Sequence, residues 1–355
     1  MSKIVIRALH EDEFKIWDSI VDRSPQGTIF HTLDWLKINA KHTDSQLYLI
    51  VGYLGNEPVG AIPIFYRRKN FFKVVSSPLG STQIPHLGPI FPDYDVHKQN
   101  KREFYFSEFQ KEFDEFLVQK LKPDRISIST SPNLLDVRPF IWNDYQVIPK
   151  YNYCKDITNL DTLWNGFKKE LRKNIEKAEH EGFVIEQAGL EEIQFISQSI
   201  SRRFDEQEME YPASNEYLLD IFNAYYPEHL KIFIAKMNGE PITGIVVTGF
   251  RDTLSIWIGA TQTTCKGLYP VDLLQWKIIE WGNKNGYKKC EILGANLPSI
   301  SYFKSRYNFD LDIYYSVEKL SPEFKVVANA FKILRHLTSR SDTKKCLING
   351  NKIDG

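Results

Sequence analysis

Two stretches more than half the chain apart repeat one another, and this repeat limits the possible folds more than any other feature. Residues 47–66 read LYLIVGYLGNEPVGAIPIFY, and residues 230–250 read LKIFIAKMNGEPITGIVVTGF. Each is an apolar run, a polar turn and a second apolar run. Gly and Asn supply the left-handed conformations of a tight turn and Pro pre-sets a turn dihedral, so each stretch predicts a β-hairpin. A second pair follows in the same order, GSTQ at 80–83 and GATQ at 259–262. The two matches lie 183 and 179 residues apart, nearly one register. Ordered self-similarity at one offset predicts two copies of one domain.

The segments after the hairpins keep the same rhythm. REFYFSEFQKEFDEFLVQKL (102–121) reads as a helix before the strand RISIST (125–130), and PVDLLQWKIIEWGNKNG (270–286) reads as a helix before KKCEIL (288–293). In the second helix Leu273, Leu274, Trp276, Ile278 and Ile279 crowd one broad side, and Gly286 stands where a C-cap glycine would. Each copy therefore reads helix, antiparallel hairpin, strand, helix, strand, an α/β fold on a mixed sheet. The expected organisation is a first domain over 1–150, a second over 151–320, and a segment 321–355 whose amphipathic start (Phe324, Val327, Phe331, Leu334) docks on the first domain before a frayed tail. The two sheets are expected to face each other across a shared groove.

Lys+Arg and Asp+Glu balance at 45 each, so no global field draws the chain to nucleic acid or membrane, and an anionic ligand needs a local cluster. Cys154, Cys265, Cys290 and Cys346 have no metal or CxxC spacing and read as free thiols of a reducing compartment. MSKIVIRALHEDEF lacks the apolar stretch of a signal peptide, and no run approaches the roughly 20 apolar residues of a membrane span. A cytoplasmic location is the expectation. The eight histidines are scattered and no GxSxG elbow occurs, so no triad is expected.

One helix is predicted over 164–180. Trp164, Phe167, Leu171, Ile175 and Ala178 fall within about 80° of arc and form its buried stripe. Lys169, Arg172, Lys173 and Lys177 lie opposite, with Glu176 placed to pair with Arg172. That basic face reads either as a solvated surface or as a landing site for a phosphate-rich donor such as tRNA.

The element order resembles the GNAT acyltransferase fold. The doubling, with FHTLDWLKI (30–38), PHLGPIFPDYD (85–95), LRKNIEKAEHEGF (171–183), SISRRFDEQ (199–207) and YFKSRYNFD (302–310), resembles its FemA/FemB-like branch, including BioF2-like and CelD-like acetyltransferases. The place of the usual acetyl-CoA pyrophosphate loop reads QTTCKGLYPVDLL, where the spacing is altered and Pro270 removes an N–H.

The resemblance implies an acyltransferase that forms an amide on a cell-envelope precursor of the peptidoglycan-bridge type. The donor is an aminoacyl-tRNA or an acyl-CoA and no cofactor is held tightly. The acceptor is a nucleotide- or lipid-linked sugar or peptide, with no DNA and at most a peripheral membrane contact. It also implies site residues. Lys304 meets the developing oxyanion or a carbonyl, with Arg306 as a neighbour able to take over; Asp93, or Asp95, orients or deprotonates the acceptor amine. Lys37 and Trp35 with Arg203, or Arg202, contact the acceptor's diphosphate, and Lys169, Arg172, Lys173 and Lys177 receive the donor. Outside the resemblance, Trp35 reads equally as core, Lys37 as solvated and Asp93 as a turn residue. An acyl-CoA N-acyltransferase acting on an amino sugar and a non-catalytic GNAT-like binding protein are the other readings.

Overall fold

The computed structural model describes residues 3–69, 71–80, 82–206, 214–259, 265 and 267–326, without the side chains of 69 and 203–206. Its strands are β1 (Val5–Ala8), β2 (Gln46–Leu54), β3 (Glu57–Lys69), β4 (Phe72–Ser77), β5 (Arg125–Ser129), β6 (Gln146–Asp156), β7 (Val184–Ala188), β8 (Leu230–Met237), β9 (Glu240–Phe250), β10 (Thr253–Gly259), β11 (Lys289–Ile292) and β12 (Asp310–Leu320). Its helices are α1 (Trp17–Arg23), α2 (Leu33–His42), α3 (Gln99–Phe116), α4 (Arg138–Trp142), α5 (Leu160–Gly166), α6 (Lys169–His180), α7 (Leu190–Glu206), α8 (Asn215–Tyr225), α9 (Pro270–Lys284) and α10 (Pro298–Lys304).

Both expected hairpins form, β2–β3 and β8–β9, and they repeat in detail. At the second turn Asn238 and Gly239 take φ of 51° and 84°, two successive positive values that suit a right-twisted hairpin. Each hairpin carries one bulge, at Gly52/Tyr53 and at Ala235/Lys236, again 183 residues apart. Each also has a glycine one helix presses against: a Cβ on Gly60 would come within 2.8 Å of the Phe109 ring, and one on Gly244 within 2.8 Å of Ile196.

The sheet order is β1-β2-β3-β4-β5-β12-β6-β11-β10-β9-β8-β7. It reads alike from both edges, with one parallel pair in each half, β4–β5 and β10–β11. The middle is where the halves interpenetrate. β6 leaves the first half to pair with β11, and β12 leaves the second half to pair with β5. β6 and β12 then pair with each other from Asp310↔Cys154 to Glu318↔Gln146. The two expected sheets are therefore one continuous sheet, and the boundary expected at 150/151 falls inside β6. The expectation of facing surfaces survives in part, because the sheet's two arms share a core. Leu49, Val51, Ala61 and Phe65 from the first hairpin join Leu230, Ile232, Ile234 and Val246 from the second, with Trp17, Trp35 and Ile221 between.

On the other face of the second arm, Leu171, Ile175 and Ala178 of α6 pack with Leu274 and Ile278 of α9 and with Cys290 and Ile292 of β11. The apolar stripe is as expected, but the single helix predicted over 164–180 is broken. Phe167 and Lys168 are extended, with ψ of 146° and 136°. The Lys168 N–H leaves the helix to donate to the Arg306 carbonyl at 2.9 Å. Phe324, at the start of the C-terminal segment, sets its ring 4.8 Å from that of Phe72 in β4; Val327, Phe331 and Leu334 lie outside the described residues.

Because each arm borrows a central strand, neither half is expected to fold alone. Residues 1–157 and 158–326 expressed separately should elute as aggregates or unfolded chains, because the first then lacks β12 and the second lacks β6, and should co-elute as one species when co-expressed. Size-exclusion chromatography with circular dichroism reads this out, and a folded, monomeric 1–157 fragment would contradict it.

Candidate functional site

The middle of the sheet carries a row of polar side chains where a buried surface would be expected to be apolar. Thr248 in β9 pairs with Ser255 in β10, and Ser255 pairs with Glu291 in β11. Glu291 pairs with Cys154 in β6, whose neighbour on the same face, Asn152, pairs with Asp312 in β12. Directly paired residues share a face, as do residues two apart on one strand. Glu291, Ser255, Thr248 and Asn152 are all less than a tenth exposed. First-half segments cover the row: the loop from Pro25 to Phe30, His86, and Ser131 to Asn133 enclose with it a cavity of about 330 Å³ between the halves.

Glu291 is the hub. It accepts from Asn152 Nδ2 at 3.0 Å and from Ser255 Oγ at 3.0 Å, and lies 3.3 Å from His86 Nε2. Burial alone would raise its pKa; the His86, Ser255 and Asn152 bonds reverse this and hold the carboxyl below its ordinary range. Asp312 goes the other way. Burial first, and then the charge on Glu291, push its carboxyl up. Two carboxylates with separated proton affinities thus share one cavity. Three buried polar atoms on the cavity wall have no partner: His86 Nδ1, Ser131 Oγ and Thr248 Oγ1. Since buried polar groups are rarely left unpaired, these mark a place for a polar guest. His31, beneath this wall, is buried and its pKa is pushed down to about 3, by burial first and then by His86.

Asn152 also connects the cavity to Lys304. Its Oδ1 accepts the Gly294 N–H at 2.8 Å, and the Gly294 carbonyl accepts from Lys304 Nζ at 2.8 Å. Lys304 donates to the Leu293 carbonyl as well. Gly294 takes a φ of 82°, which turns its carbonyl toward the lysine without steric cost. Lys304 thus stands where the chain leaves β11. Among the described residues no carboxylate pairs with it, and burial lowers its pKa to about 8.

The other expected site residues are placed differently. Arg306 is committed to structure: Nη1 and Nη2 donate to Asp272 at 3.0 and 2.8 Å, and Tyr307 and Asn174 share that carboxylate. Asp272 is fully buried, so the pair is a bidentate strut between α9 and the segment after α10. Trp35 is fully buried, packed 5.0 Å from Phe30, 5.0 Å from Tyr225 and 4.9 Å from Trp257. It serves the core and has no face for a ligand. Lys37 is exposed, its Nζ 5.6 Å from the Phe14 ring centroid. Asp93 takes a φ of 54° and pairs with Arg23, which holds its carboxyl low and makes it a poor base; Asp95 is exposed. Arg203 lies in the last turn of α7, and its side chain is outside those described. Lys169, Lys173 and Lys177 are exposed on α6, with Arg172 partly so, and α6 covers the face of β11 opposite to Glu291. The cavity and this basic face are therefore not brought together.

Sequence reasoning missed Glu291, His86 and Asp312. The signal was present in KKCEIL, a charged residue between apolar ones in a strand destined for the sheet centre. Its burial depended on β6 and β12 flanking it. Cys154 borders the same cavity, and burial first, then Glu291 and Asp312, push its thiol up to about 12. It is therefore no nucleophile. Iodoacetamide at pH 8 should alkylate Cys154 on the order of 10³-fold more slowly than a free cysteine, followed by peptide mass spectrometry; labelling at the free-thiol rate would contradict this placement.

The comparisons with known proteins agree with this architecture. Residues 165–305 match the family model described as acetyltransferase (GNAT) domain. No curated protein matches the chain. Among solved structures, FemX shares 12% identity over 87% of this chain and 96% of its own, at a TM-score of 0.65. The C-terminal domain of a putative lysylphosphatidylglycerol synthetase from Agrobacterium fabrum shares 10% identity over 91% of this chain and 96% of its own, at 0.55. A tandem GNAT protein from the clavulanic acid biosynthesis pathway shares 11% identity over 90% and 98%, at 0.53. At such identities these likenesses establish the fold. No described helix is long and apolar enough to cross a membrane. Residues 165–305 are thus similar to a GNAT acetyltransferase domain, and the chain as a whole has a doubled fold similar to those of FemX and the tandem GNAT protein.

Proposed function

We propose that this protein forms an amide by transferring an acyl or aminoacyl group to an amino group of a cell-envelope precursor, with the reaction centred where β11 ends. Lys304 carries the reading. Its ammonium is largely buried and, among the described residues, meets only the carbonyl oxygens of Leu293 and Gly294, with no carboxylate to neutralise it. A desolvated, uncompensated cation of this kind stabilises the oxyanion of a tetrahedral acyl-transfer intermediate far better than a hydrated one. Attack by an amine needs a deprotonated nucleophile, a positioned carbonyl and that stabilisation. The likenesses to FemX and to a protein named for lysylphosphatidylglycerol support aminoacyl transfer in envelope chemistry; the GNAT domain keeps acyl-CoA as the other donor. The reaction takes place without a tightly held cofactor, in a cytoplasmic protein.

Incubating the full chain with labelled acetyl-CoA and with charged bulk tRNA, and following label into amide products, tests the class. Lys304→Met should lower kcat/KM by about 10²- to 10³-fold with either donor, the usual cost of one oxyanion donor. The pH dependence has a definite sign. Lys304 is cationic below about 8 and neutral above it, so a limb requiring the cation falls as pH rises through 8, and the Met variant should lack that limb. The variant should still fold. The native state holds Lys304 at a lower pKa than the unfolded chain does, so it bears a charge-burial cost below pH 8 that is relieved as pH rises toward 10.5. Full activity in the Met variant would overturn the assignment.

A further inference from the structure

The cavity over Glu291 has features that acyl transfer as such does not require. Its sheet wall presents Glu291 and Asp312 on either side of β6. Asp312 is half-buried and has no hydrogen-bonded partner among the described residues, so its oxygens remain available. Lys289 also lines the wall and only partly offsets the push of burial and of Glu291 on Asp312, and the one arginine there, Arg251, does not neutralise this pair. Its Nη2 is committed to the carbonyls of Val21 at 2.7 Å and Asp22 at 2.8 Å, closing the C-terminal end of α1. Three residues of the lining carry unpartnered buried groups: Thr248 Oγ1 in the sheet row itself, and Ser131 Oγ and His86 Nδ1 on the first-half segments that cover it. With His86 Nε2–H directed at Glu291, a neutral ring offers Nδ1 as an acceptor. Phe30 and Phe250 supply apolar wall.

We infer that this cavity is the seat of a primary ammonium carried on a compact hydroxyl-bearing body, an amino-sugar-like group, with Glu291 and Asp312 holding the cation and Ser131, Thr248 and His86 taking its hydroxyls. At Asp312 burial and the charge on Glu291 outweigh the opposing charges of His86 and Lys289, and a guest ammonium relieves that excess. Hydroxyls of the guest satisfy three orphans that otherwise cost stability. The aromatic walls suit the apolar face of a ring. The cavity volume, about 330 Å³, is at the small end of ligand pockets and suits one such group, not a whole precursor. The inference rests on the acyl-transfer reading only for the fate of the amine; the seat itself is a binding claim.

The test is a ligand-observed NMR or calorimetric titration of the full chain at pH 6.5 with glucosamine, glucose and Nα-acetyl-lysine. Glucosamine should bind saturably, with glucose at least about tenfold weaker, because only the former brings the charge. Glu291→Gln and Asp312→Asn should each weaken glucosamine about tenfold or more, with folding checked by circular dichroism. Should either variant misfold, Ser131→Ala and Thr248→Val serve instead; they should weaken glucosamine and leave Nα-acetyl-lysine unchanged. Equal binding of glucose and glucosamine, no saturable glucosamine binding, or unchanged affinity in folded variants would overturn the seat. Nα-acetyl-lysine binding as tightly as glucosamine would overturn its hydroxyl half. If the seat behaves as stated while no donor label reaches any amine, the transfer reading fails and the seat stands.

Discussion

The exchange of β6 and β12 at the sheet centre is the interaction on which the rest depends. Each strand contributes its backbone groups to the other half's ladder, and they zip together over nine residues on each strand. Backbone pairing of this length is cooperative and leaves no free edge at the joint. It fixes the angle at which the arms curl toward each other, and so the common core of Trp17, Trp35 and both hairpins. A doubled domain joined only by a linker would let its halves move. One joined by swapped strands holds the cavity walls in fixed register.

That rigidity explains how the protein tolerates a polar row at depth. A lone buried carboxylate is costly, and Glu291 is acceptable because three neighbours on three separate segments aim at it: Asn152 from β6, Ser255 from β10 and His86 from a first-half loop. The charge-bearing groups fall into two kinds. Arg306 and Asp272 satisfy each other and hold α9 in place. Among the described residues Lys304, at the end of β11, has no carboxylate partner, and Asp312, at the cavity wall, has only the partial compensation of His86 and Lys289. Charge without a partner is what binding and transition-state stabilisation require.

The sequence disclosed the fold further than it disclosed the site. The hairpins, the helices over 102–121 and 270–286 and the strands after them were legible, because alternating apolar runs and NG- or GN-type turns are local signals. The helix over 164–180 was legible as a stripe, but its break at Phe167 and Lys168 was not. An apolar stripe continues through the break, while the cause lies more than a hundred residues away, at the Arg306 carbonyl. Lys304 was singled out through its motif, and it is largely buried, which lowers its pKa. Arg306, two residues on, looked equivalent in sequence and differs only because Asp272 reaches it.

The sequence by itself determined the duplication and the alternating pattern of each copy, since these rest on periodicity and residue identity. The tertiary structure alone decided that the two sheets are one and that β6 and β12 change places. It also brought His86 and Glu291, 205 residues apart, together over a cavity. Pattern fixes which face of a strand is buried. Only strand order fixes which other strand, and therefore which charge, lies beside it.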